Sequence, residues 1–223
     1  MGKVIMSGIV PLLTVPGAGT PLSAFAEGSI IKINEDSSPV EFYVAKHDYE
    51  QGLNGAGRTL VVRKNCTKGN RQWNSSNANA YASSTINSWL NGDYKNLLDP
   101  AVQTLIGTTK FYYTIGNGSS KVGTLERSVF LLSLAELGTK YSYANDEGTA
   151  LSIASILKPA YNDYQNLVNQ WCRTVYWFDT TTVTVINSAG DAATSKCKNY
   201  YYPRPCFTLP ANTEIDDNGL VVA

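Results

Sequence analysis

The chain has 223 residues, and its 18 basic and 18 acidic side chains give a formal net charge of zero at pH 7. A nucleic-acid surface needs excess Lys and Arg to neutralise phosphates, and adsorption to anionic lipid needs a basic cluster, so we expect neither partner. The hydrophobic fraction of 43% is sufficient for one core with an appendage or for two small domains. The many Tyr, Ser, Thr, Asn and Gly residues are typical of a β-rich domain, either an ordinary globular one or one exposed at an extracellular surface.

Residues 1–27 are distinguished by an apolar run that Pro and Gly residues interrupt. Three interpretations are open: an extended arm with a strand at residues 4–10, an ordinary first strand, or a secretory signal cleaved after Ala26. We favour the arm, because an apolar segment without a partner in its own domain would be sticky. The arm would attach the domain at residues 28–223 to another subunit through Val4, Ile5, Ile9, Val10 and Leu12. No apolar stretch reaches the roughly 18 residues of a transmembrane helix, so we expect no membrane insertion.

Strands are predicted where β-branched and aromatic residues alternate with polar ones, or run continuously, between turn-forming residues. They lie at residues 29–34, 40–46, 59–64, 110–115, 128–133, 182–185, 198–202 and 206–209. Residues 128–133 form a continuous apolar run, which predicts a central strand that is buried on both faces. Pro203 and Pro205 end the strand before them, since neither residue donates a ladder hydrogen bond.

Helix signals follow in the middle of the chain. The first helix spans about residues 84–91, with Ser83 or Ser84 as its N-cap. The second begins with Pro100, and Asp99 caps it, because Pro is favoured at the first helical position, where its missing N–H costs nothing.

Residues 139–163 are polar, Tyr-rich and irregular, apart from a short helix at about residues 150–157 that must end before Pro159. Loops that a rigid scaffold positions are where binding specificity is usually carried. We therefore expect any binding determinant to lie in this segment.

Five side chains are singled out as structural: Trp73, Trp89, Trp171, Arg173 and Arg204. The Trp residues are expected to fill the core. The two Arg residues lie in apolar, strand-rich surroundings, where an unpaired guanidinium would cost several kcal/mol. They are therefore expected to bind loop carbonyls or a carboxylate through their planar donors. The alternative for both is a clamp for a ligand carboxylate.

No catalytic group, cofactor or metal site is expected from the sequence. His47 is the only histidine, so a Ser or Cys nucleophile has no evident base. The four cysteines lack zinc-ligand spacing, and their number allows a disulfide without requiring one. A glycosidase would need two facing carboxylates. The candidates, which we expect to be solvated instead, are Glu126, Glu136, Asp146, Glu147 and Asp163.

Three blocks of sequence occur in a characteristic order. The first is RQWNSS at 71–76 leading to INSWLN at 86–91, and the second is VFLLSLAELG at 129–138. The third combines WCRT at 171–174, NSAG at 187–190 and YPRPCFTLP at 202–210. Together they resemble the signature of the DUF6273 family from about residue 28 to residue 210. Val175 is a departure, because members usually have Pro after Arg-Ser or Arg-Thr.

The resemblance implies an α+β domain similar to C-type lectins and sulfatase-modifying factors, with mixed or antiparallel sheets and two or three short helices after the N-terminal arm. Many members occur in phage and prophage genomes of Gram-positive gut bacteria. We therefore expect a non-enzymatic bacteriophage structural protein on the virion surface, as a capsid decoration, fibre or baseplate-associated module. It would be a homo-oligomer or part of a larger assembly, with the arm contacting other virion subunits.

Two alternatives remain open. One is an adhesin or receptor-binding protein that recognises a carbohydrate or another host-surface molecule. The other is an enzyme of the sulfatase-modifying-factor type, which we disfavour because those enzymes depend on reactive cysteines with defined partners. Glycan binding would distinguish the first alternative from a purely structural protein.

Overall fold

The computed structural model describes residues 19–222. Its strands are β1 Thr20–Pro21, β2 Ile30–Glu35, β3 Ser38–His47, β4 Arg58–Arg63, β5 Arg71–Gln72, β6 Thr109–Gly116, β7 Ser119–Arg127, β8 Ala160–Tyr161, β9 Leu167–Val168, β10 Gln170–Val175, β11 Thr182–Ile186, β12 Ala192–Lys196, β13 Tyr200–Tyr201, β14 Cys206–Pro210, β15 Glu214–Ile215 and β16 Val221–Val222. Its α-helices are α1 Gln51–Asn54, α2 Thr85–Trp89 and α3 Pro100–Leu105. Short 3-10 turns occupy Leu22–Ala24, Tyr81–Ser83, Lys95–Leu97 and Ala154–Leu157, and a π-turn at Leu90–Tyr94 extends α2.

The strands form several antiparallel sheets around one core. The largest has the order β14-β4-β3-β2, and a second has the order β10-β11-β12. Strands β6 and β7 form a long hairpin, while β1-β15-β16, β5-β13 and β8-β9 are small sheets at the periphery. Because helices are few and short and the named sheets are antiparallel, the α+β prediction is confirmed.

Two of the hairpins are specified by their turn residues. Asp36 and Ser37, between β2 and β3, have φ angles of 49° and 62°. Asn117 and Gly118, between β6 and β7, have φ angles of 54° and 81°. A tight hairpin turn with two left-handed residues matches the twist of the flanking strands, which explains why Asn-Gly and Asp-containing pairs stand at these places.

The helix caps are as the sequence predicts. The side chain of Ser84 accepts a hydrogen bond from the backbone N–H of Asn87 at the start of α2. At the start of α3, the side chain of Asp99 accepts from Ala101, and Pro100 occupies the first turn. Each cap satisfies an N–H group that has no partner within its helix.

The core is aromatic at its centre. Phe111 stacks on Phe130 with ring centroids 4.5 Å apart, and Phe130 in turn stacks on Tyr49 at 5.7 Å. Phe42 of β3 packs against Phe207 of β14 at 5.5 Å. Every residue of β10 and β11 is buried, so this hairpin is covered on both faces.

The two ends of the described chain are joined. β1 pairs with β15, and Leu22 is fully buried in the core. Residues 19–27, which the sequence assigns to the arm, therefore lie on the domain that was expected to begin at residue 28. The attachment residues Val4, Ile5, Ile9, Val10 and Leu12 lie outside the described residues.

The prediction of a central strand at residues 128–133 is wrong, although its buried position is right. Only Phe130 makes a strand-like bridge, to Cys206. Side chains bind the neighbouring backbone instead. The amide of Asn91 binds the N–H and C=O of Val129, and the hydroxyl of Tyr81 accepts from the N–H of Leu131 at 3.0 Å. The segment is extended without belonging to a ladder.

Two further elements differ from the prediction. A strand that was not predicted, β12, follows the turn closed by the Gly190–Asn187 hydrogen bond and pairs with β11, and the strand predicted at residues 198–202 is shorter. Tyr200–Tyr201 pairs with β5. The helix expected at residues 150–157 is a single 3-10 turn, Ala154–Leu157.

Candidate ligand-binding surface

Arg173 is fully buried and lies at the centre of a polar network. Its Nη1 donates to Oε2 of Glu136 at 2.6 Å and to the carbonyl of Leu131 at 2.9 Å. Its Nε and Nη2 donate to the carbonyls of Tyr112 and Glu147, both at 2.9 Å. Burial lowers the pKa of this guanidinium, but the charge of Glu136 and its hydrogen bond, together with the charges of Tyr49 and Glu147, outweigh burial and raise the pKa above its usual value.

The two glutamates of this network are buried as completely as the arginine. Glu136 accepts from the hydroxyl of Tyr49 and from the N–H of Ser133. Glu147 accepts from the N–H of Thr114 at 2.7 Å and from the hydroxyl of Thr174 at 2.9 Å. Burial raises the pKa of Glu147. Both carboxylates are occupied by the fold itself, which is a structural arrangement and not an open acid–base pair.

Arg204 is buried in a different way. Its Nη1 and Nη2 donate to the carbonyls of Leu157 and Lys64 at 2.6 and 2.9 Å. Its Nε has no hydrogen-bond partner in the part of the chain that the structure describes. Burial lowers the pKa of this guanidinium. Arg204 therefore joins the chain segments that contain Leu157 and Lys64.

The three singled-out tryptophans have unequal environments. Trp73 and Trp171 are buried, and their indole N–H groups donate to the carbonyls of Cys172 and Arg71. Trp89 is only half-buried, and the guanidinium of Arg71 lies 4.0 Å from its ring centroid.

The remaining candidate carboxylates form separate ion pairs. Glu126 pairs with Lys110, Asp146 with Lys140 and Asp163 with Arg63. The structure therefore does not bring the residues predicted from sequence together at one surface. Between Gly19 and Val222, no group of three or more His, Cys, Asp or Glu is arranged to hold a metal ion. The four cysteines are free and buried.

A cluster of five aromatic side chains lies at the surface instead, and we call it the aromatic surface: Tyr141, Tyr143, Tyr176, Trp177 and Phe178. The ring of Tyr143 is at its centre, 5.4 Å from Tyr176, 5.3 Å from Trp177 and 4.9 Å from Phe178. Phe178 is 68% exposed and Tyr143 is 45% exposed. Exposed large apolar side chains in contact with one another mark binding sites more often than isolated ones do.

The backbone beneath these rings is held by hydrogen bonds. The side-chain amide of Asn79 donates to the carbonyls of Tyr176, Asp179 and Thr182 at 3.2, 2.7 and 2.8 Å. The N–H of Trp177 donates to the carbonyl of Tyr143 at 3.0 Å and so joins the two loops. Tyr143 has a φ of 57°, a left-handed conformation that non-glycine residues seldom adopt and that is frequent at functional sites.

An ion pair fixes the end of the second loop. Asp179 accepts from Nζ of Lys196 at 2.7 Å and from the hydroxyl of Thr181 at 2.6 Å. These contacts hold the pKa of Asp179 well below its usual range. The aromatic side chains are therefore presented by a backbone that is already ordered before a ligand arrives, which reduces the entropy cost of binding.

The polar atoms of the aromatic surface are available. The hydroxyls of Tyr141, Tyr143 and Tyr176 and the indole N–H of Trp177 make no hydrogen bond within residues 19–222. The surface thus offers ring faces together with free donors and acceptors, and no formal charge. This combination suits a ligand with apolar faces and a rim of hydroxyl groups.

Sequence reasoning did not identify this surface. Two signals were present: three consecutive aromatic residues at 176–178 before a Thr-rich turn, and the spaced Tyr141 and Tyr143 in the irregular loop. The loop that carries Tyr141 and Tyr143 belongs to the segment at residues 139–163, in which a binding determinant is expected. Their contact was not predictable, because the two loops are distant in sequence.

The fold and this surface define a class of protein: a mainly antiparallel α+β domain with a buried arginine–carboxylate core and aromatic loops exposed on one face. The model of the family described as Domain of unknown function (DUF6273) matches residues 56–211, and the chain belongs to that family. No curated protein and no solved structure matches the chain. Among the residues the structure describes, no helix is both long and apolar enough to cross a membrane.

Proposed function

We propose that this protein is a non-catalytic, surface-displayed binding protein whose aromatic surface recognises a carbohydrate on a host cell. The observation that carries the proposal is the exposure of Tyr143 and Phe178 in a cluster of mutually packed rings on hydrogen-bonded loops. If the cluster had no binding role, a polar residue in place of Phe178 would reduce the apolar surface that is exposed to water. Aromatic side chains supply large contact areas at a low cost in conformational entropy.

The chemistry of a sugar fits this surface better than that of an ion. The C–H face of a pyranose ring is apolar and can lie on the rings of Tyr143 or Phe178. Its hydroxyl groups can exchange hydrogen bonds with the free tyrosine hydroxyls and with the indole N–H of Trp177. No charged side chain belongs to the cluster, which favours a neutral glycan.

The absence of catalysis is part of the proposal and has separate support. Glu136 and Glu147, which were candidates for a glycosidase pair, are fully buried and bound to Arg173 and to backbone N–H groups. A glycoside hydrolase would instead present two carboxylates to a cleft.

The setting we propose is the surface of a phage particle, with a C-type-lectin-like fold for the domain. Membership of the DUF6273 family, the zero net charge and the Tyr-rich composition support this setting. Residues 1–18 would attach the domain to other virion subunits, because they contain the apolar run that precedes the domain.

Glycan binding is tested on an array of bacterial cell-surface glycans with the wild type and with Phe178→Ala and Tyr143→Ala. Each variant should bind about tenfold more weakly or worse, because a central aromatic contact is worth more than about 1 kcal/mol. The matched control is Tyr164→Ala, which removes a ring that is 64% exposed and lies outside the cluster. Equal binding by Phe178→Ala and the wild type, or no binding by any protein, would contradict the proposal.

Display is tested separately by mass spectrometry of purified particles and by deletion of residues 1–18. The truncated protein should remain folded, since β1 and Leu22 are retained, and should no longer incorporate into particles. If the truncated protein is still incorporated into particles, attachment through residues 1–18 is wrong, and the proposed glycan site is not affected.

A further inference from the structure

A cavity of about 440 Å³ is lined by residues that do not belong to the aromatic surface. Arg63, which is only 3% exposed, forms its floor. This guanidinium donates to both oxygens of Glu35 and to both oxygens of Asp163. It also donates to the carbonyls of Asn65 and Cys66, so all of its donors are occupied.

The carboxylates on this floor differ in what they can still accept. Glu35 is 8% exposed and accepts from Arg63 and from the hydroxyl of Tyr94. The side chain of Asp163 is 23% exposed and accepts only from Arg63 within residues 19–222. A carboxylate offers about four acceptor positions, so Asp163 retains some that face the cavity. A ligand that reaches it needs hydroxyl or N–H donors.

The wall of the cavity carries a free guanidinium on an aromatic ring. Arg71 lies over Trp89 with 4.0 Å between its central carbon and the ring centroid. Neither Arg71 nor the exposed Lys68 makes a side-chain hydrogen bond or ion pair in the described part of the chain. A guanidinium stacked on an indole still has its N–H groups free in its own plane, where they match a carboxylate or phosphate.

A second cavity of about 330 Å³ is also lined by Arg71 and Trp89, together with Asp93 and Tyr200. The rim is not uniformly cationic, because Asp36 lines the first cavity and Asp93 lines the second. Free cations beside an aromatic ring, with acceptors below, therefore select a ligand that carries one anionic group and several hydroxyls.

We infer that this cleft is a second ligand site, for an acidic sugar unit. Its carboxylate or phosphate is bound by Arg71 and Lys68, and its hydroxyls donate to Asp163. The ring lies against the apolar part of the wall, which includes Trp89 and Leu97. The inference does not depend on the aromatic surface, which has no charged member and is proposed to take a neutral glycan.

The test uses the full chain at low ionic strength, with titrations followed by NMR and by calorimetry. Three probes are compared: glucuronic acid, glucose 6-phosphate and glucose. Both anionic sugars should shift the indole N–H resonance of Trp89, and glucose should bind about tenfold more weakly or worse, because it lacks the charge-assisted contact. The first two probes separate carboxylate from phosphate as the preferred group. If glucose binds as well as either acid, or if none of them shifts that resonance, the inference is wrong.

Variants at the exposed cations locate the contact. Arg71→Gln should weaken binding of the acidic sugar about tenfold or more, and Arg71→Lys should be intermediate because it keeps the charge and loses the planar fork. Lys121→Gln, an exposed cation on β7 outside the cleft, is the matched control and should bind as the wild type does. Phe178→Ala should also leave this binding unchanged, which separates failure of this site from failure of the aromatic surface. Wild-type affinity in Arg71→Gln would overturn the assignment.

Discussion

Arg173 and Arg204 are both buried, with 0% and 3% of their surface exposed, yet their surroundings are opposite. Arg173 contacts the carboxylates of Glu136 and Glu147 as well as three backbone carbonyls. Arg204 contacts two carbonyls and no carboxylate among the described residues. The electrostatic result follows from this difference. The pKa of Arg173 is raised, because Glu136 and the other acidic neighbours together outweigh the effect of burial. The pKa of Arg204 is lowered by burial.

The comparison separates two uses of a buried guanidinium. Around Arg173, charges of opposite sign are desolvated together, so each depends on the others being present. Around Arg204, a single charge is tolerated because two of its nitrogens donate to the buried carbonyls of Leu157 and Lys64. The first arrangement binds two buried carboxylates as well as backbone carbonyls, whereas the second binds only the backbone carbonyls of Leu157 and Lys64.

The largest effect is expected for Arg173→Met. The substitution leaves Glu136 and Glu147 buried without their counter-ion, which should lower the free energy of unfolding by about 3–5 kcal/mol. Urea denaturation at pH 7 measures the loss. Adding Glu136→Leu to the variant should recover part of it, because the uncompensated charge is then removed. A single variant as stable as the wild type would show that the network does not stabilise the fold.

A smaller effect is expected for Arg204→Met, roughly 1–3 kcal/mol. The carbonyl of Lys64 loses this donor and that of Leu157 keeps only the amide of Gln170, while an uncompensated charge is also removed. The same urea experiment measures it, and glycan affinity should be unchanged. The comparison between the two arginines fails if Arg204→Met is the more damaging substitution. Normal stability with lost binding would instead place Arg204 in a ligand site.

The pH dependence of stability sharpens the comparison further. Because burial raises the pKa of Glu147 in the folded state above its ordinary value of 4.5, the folded protein binds the proton more tightly than the unfolded chain. Below its unfolded pKa, Glu147 is protonated in both states and does not lower the free energy of unfolding. As the pH rises through the folded pKa, the free energy of unfolding decreases.

Glu147→Gln removes this titration. The difference in unfolding free energy between the variant and the wild type should shift in favour of the variant as the pH is raised from the ordinary pKa of 4.5 towards neutrality. Denaturation curves at several pH values measure it. A constant difference between Glu147→Gln and the wild type would contradict the assigned pKa shift.

The smallest effect is expected at the edge of the aromatic surface. Lys196→Ala removes an exposed ion pair with Asp179, in which the side chains are 55% and 33% exposed, and should cost about 0.2–1 kcal/mol. The loss should diminish at high salt, since exposed pairs are screened. Unfolding measured at low and high ionic strength provides the test. A loss as large as that of Arg173→Met would mean that exposed and buried pairs are equivalent here.

Elements with local signals were predictable from the sequence. The N-caps Ser84 and Asp99, the alternation in β11 and the strand at Cys206–Pro210 are encoded within a few residues of one another. Residues 128–133 were not, because an apolar run is the same whether its backbone bonds go to a ladder or to the side chains of Asn91 and Tyr81.

The candidate sites were less predictable than the fold. The aromatic surface depends on a backbone hydrogen bond between Trp177 and Tyr143, and the cleft depends on Arg71 meeting Trp89. Both are contacts between segments that no local pattern connects. Burial of Arg173 and Arg204 was inferable from their apolar neighbours, but the choice of a carboxylate or a carbonyl as partner depends on the three-dimensional arrangement.

The support of the aromatic loops has a consequence for how the protein can change. Asn79 binds the carbonyls of Tyr176, Asp179 and Thr182, and the bond between the loops joins two main-chain atoms. None of these contacts uses a ring. The side chain at position 178, which is the most exposed of the cluster, is thus free to vary while the loop conformation is retained. Positions 143 and 177 are more restricted, because Tyr143 has a left-handed backbone and Trp177 packs against the core. At position 178 the residues that stabilise the loop and the side chain that would contact a ligand are different, so a library randomised there should yield folded proteins with altered ligand preference.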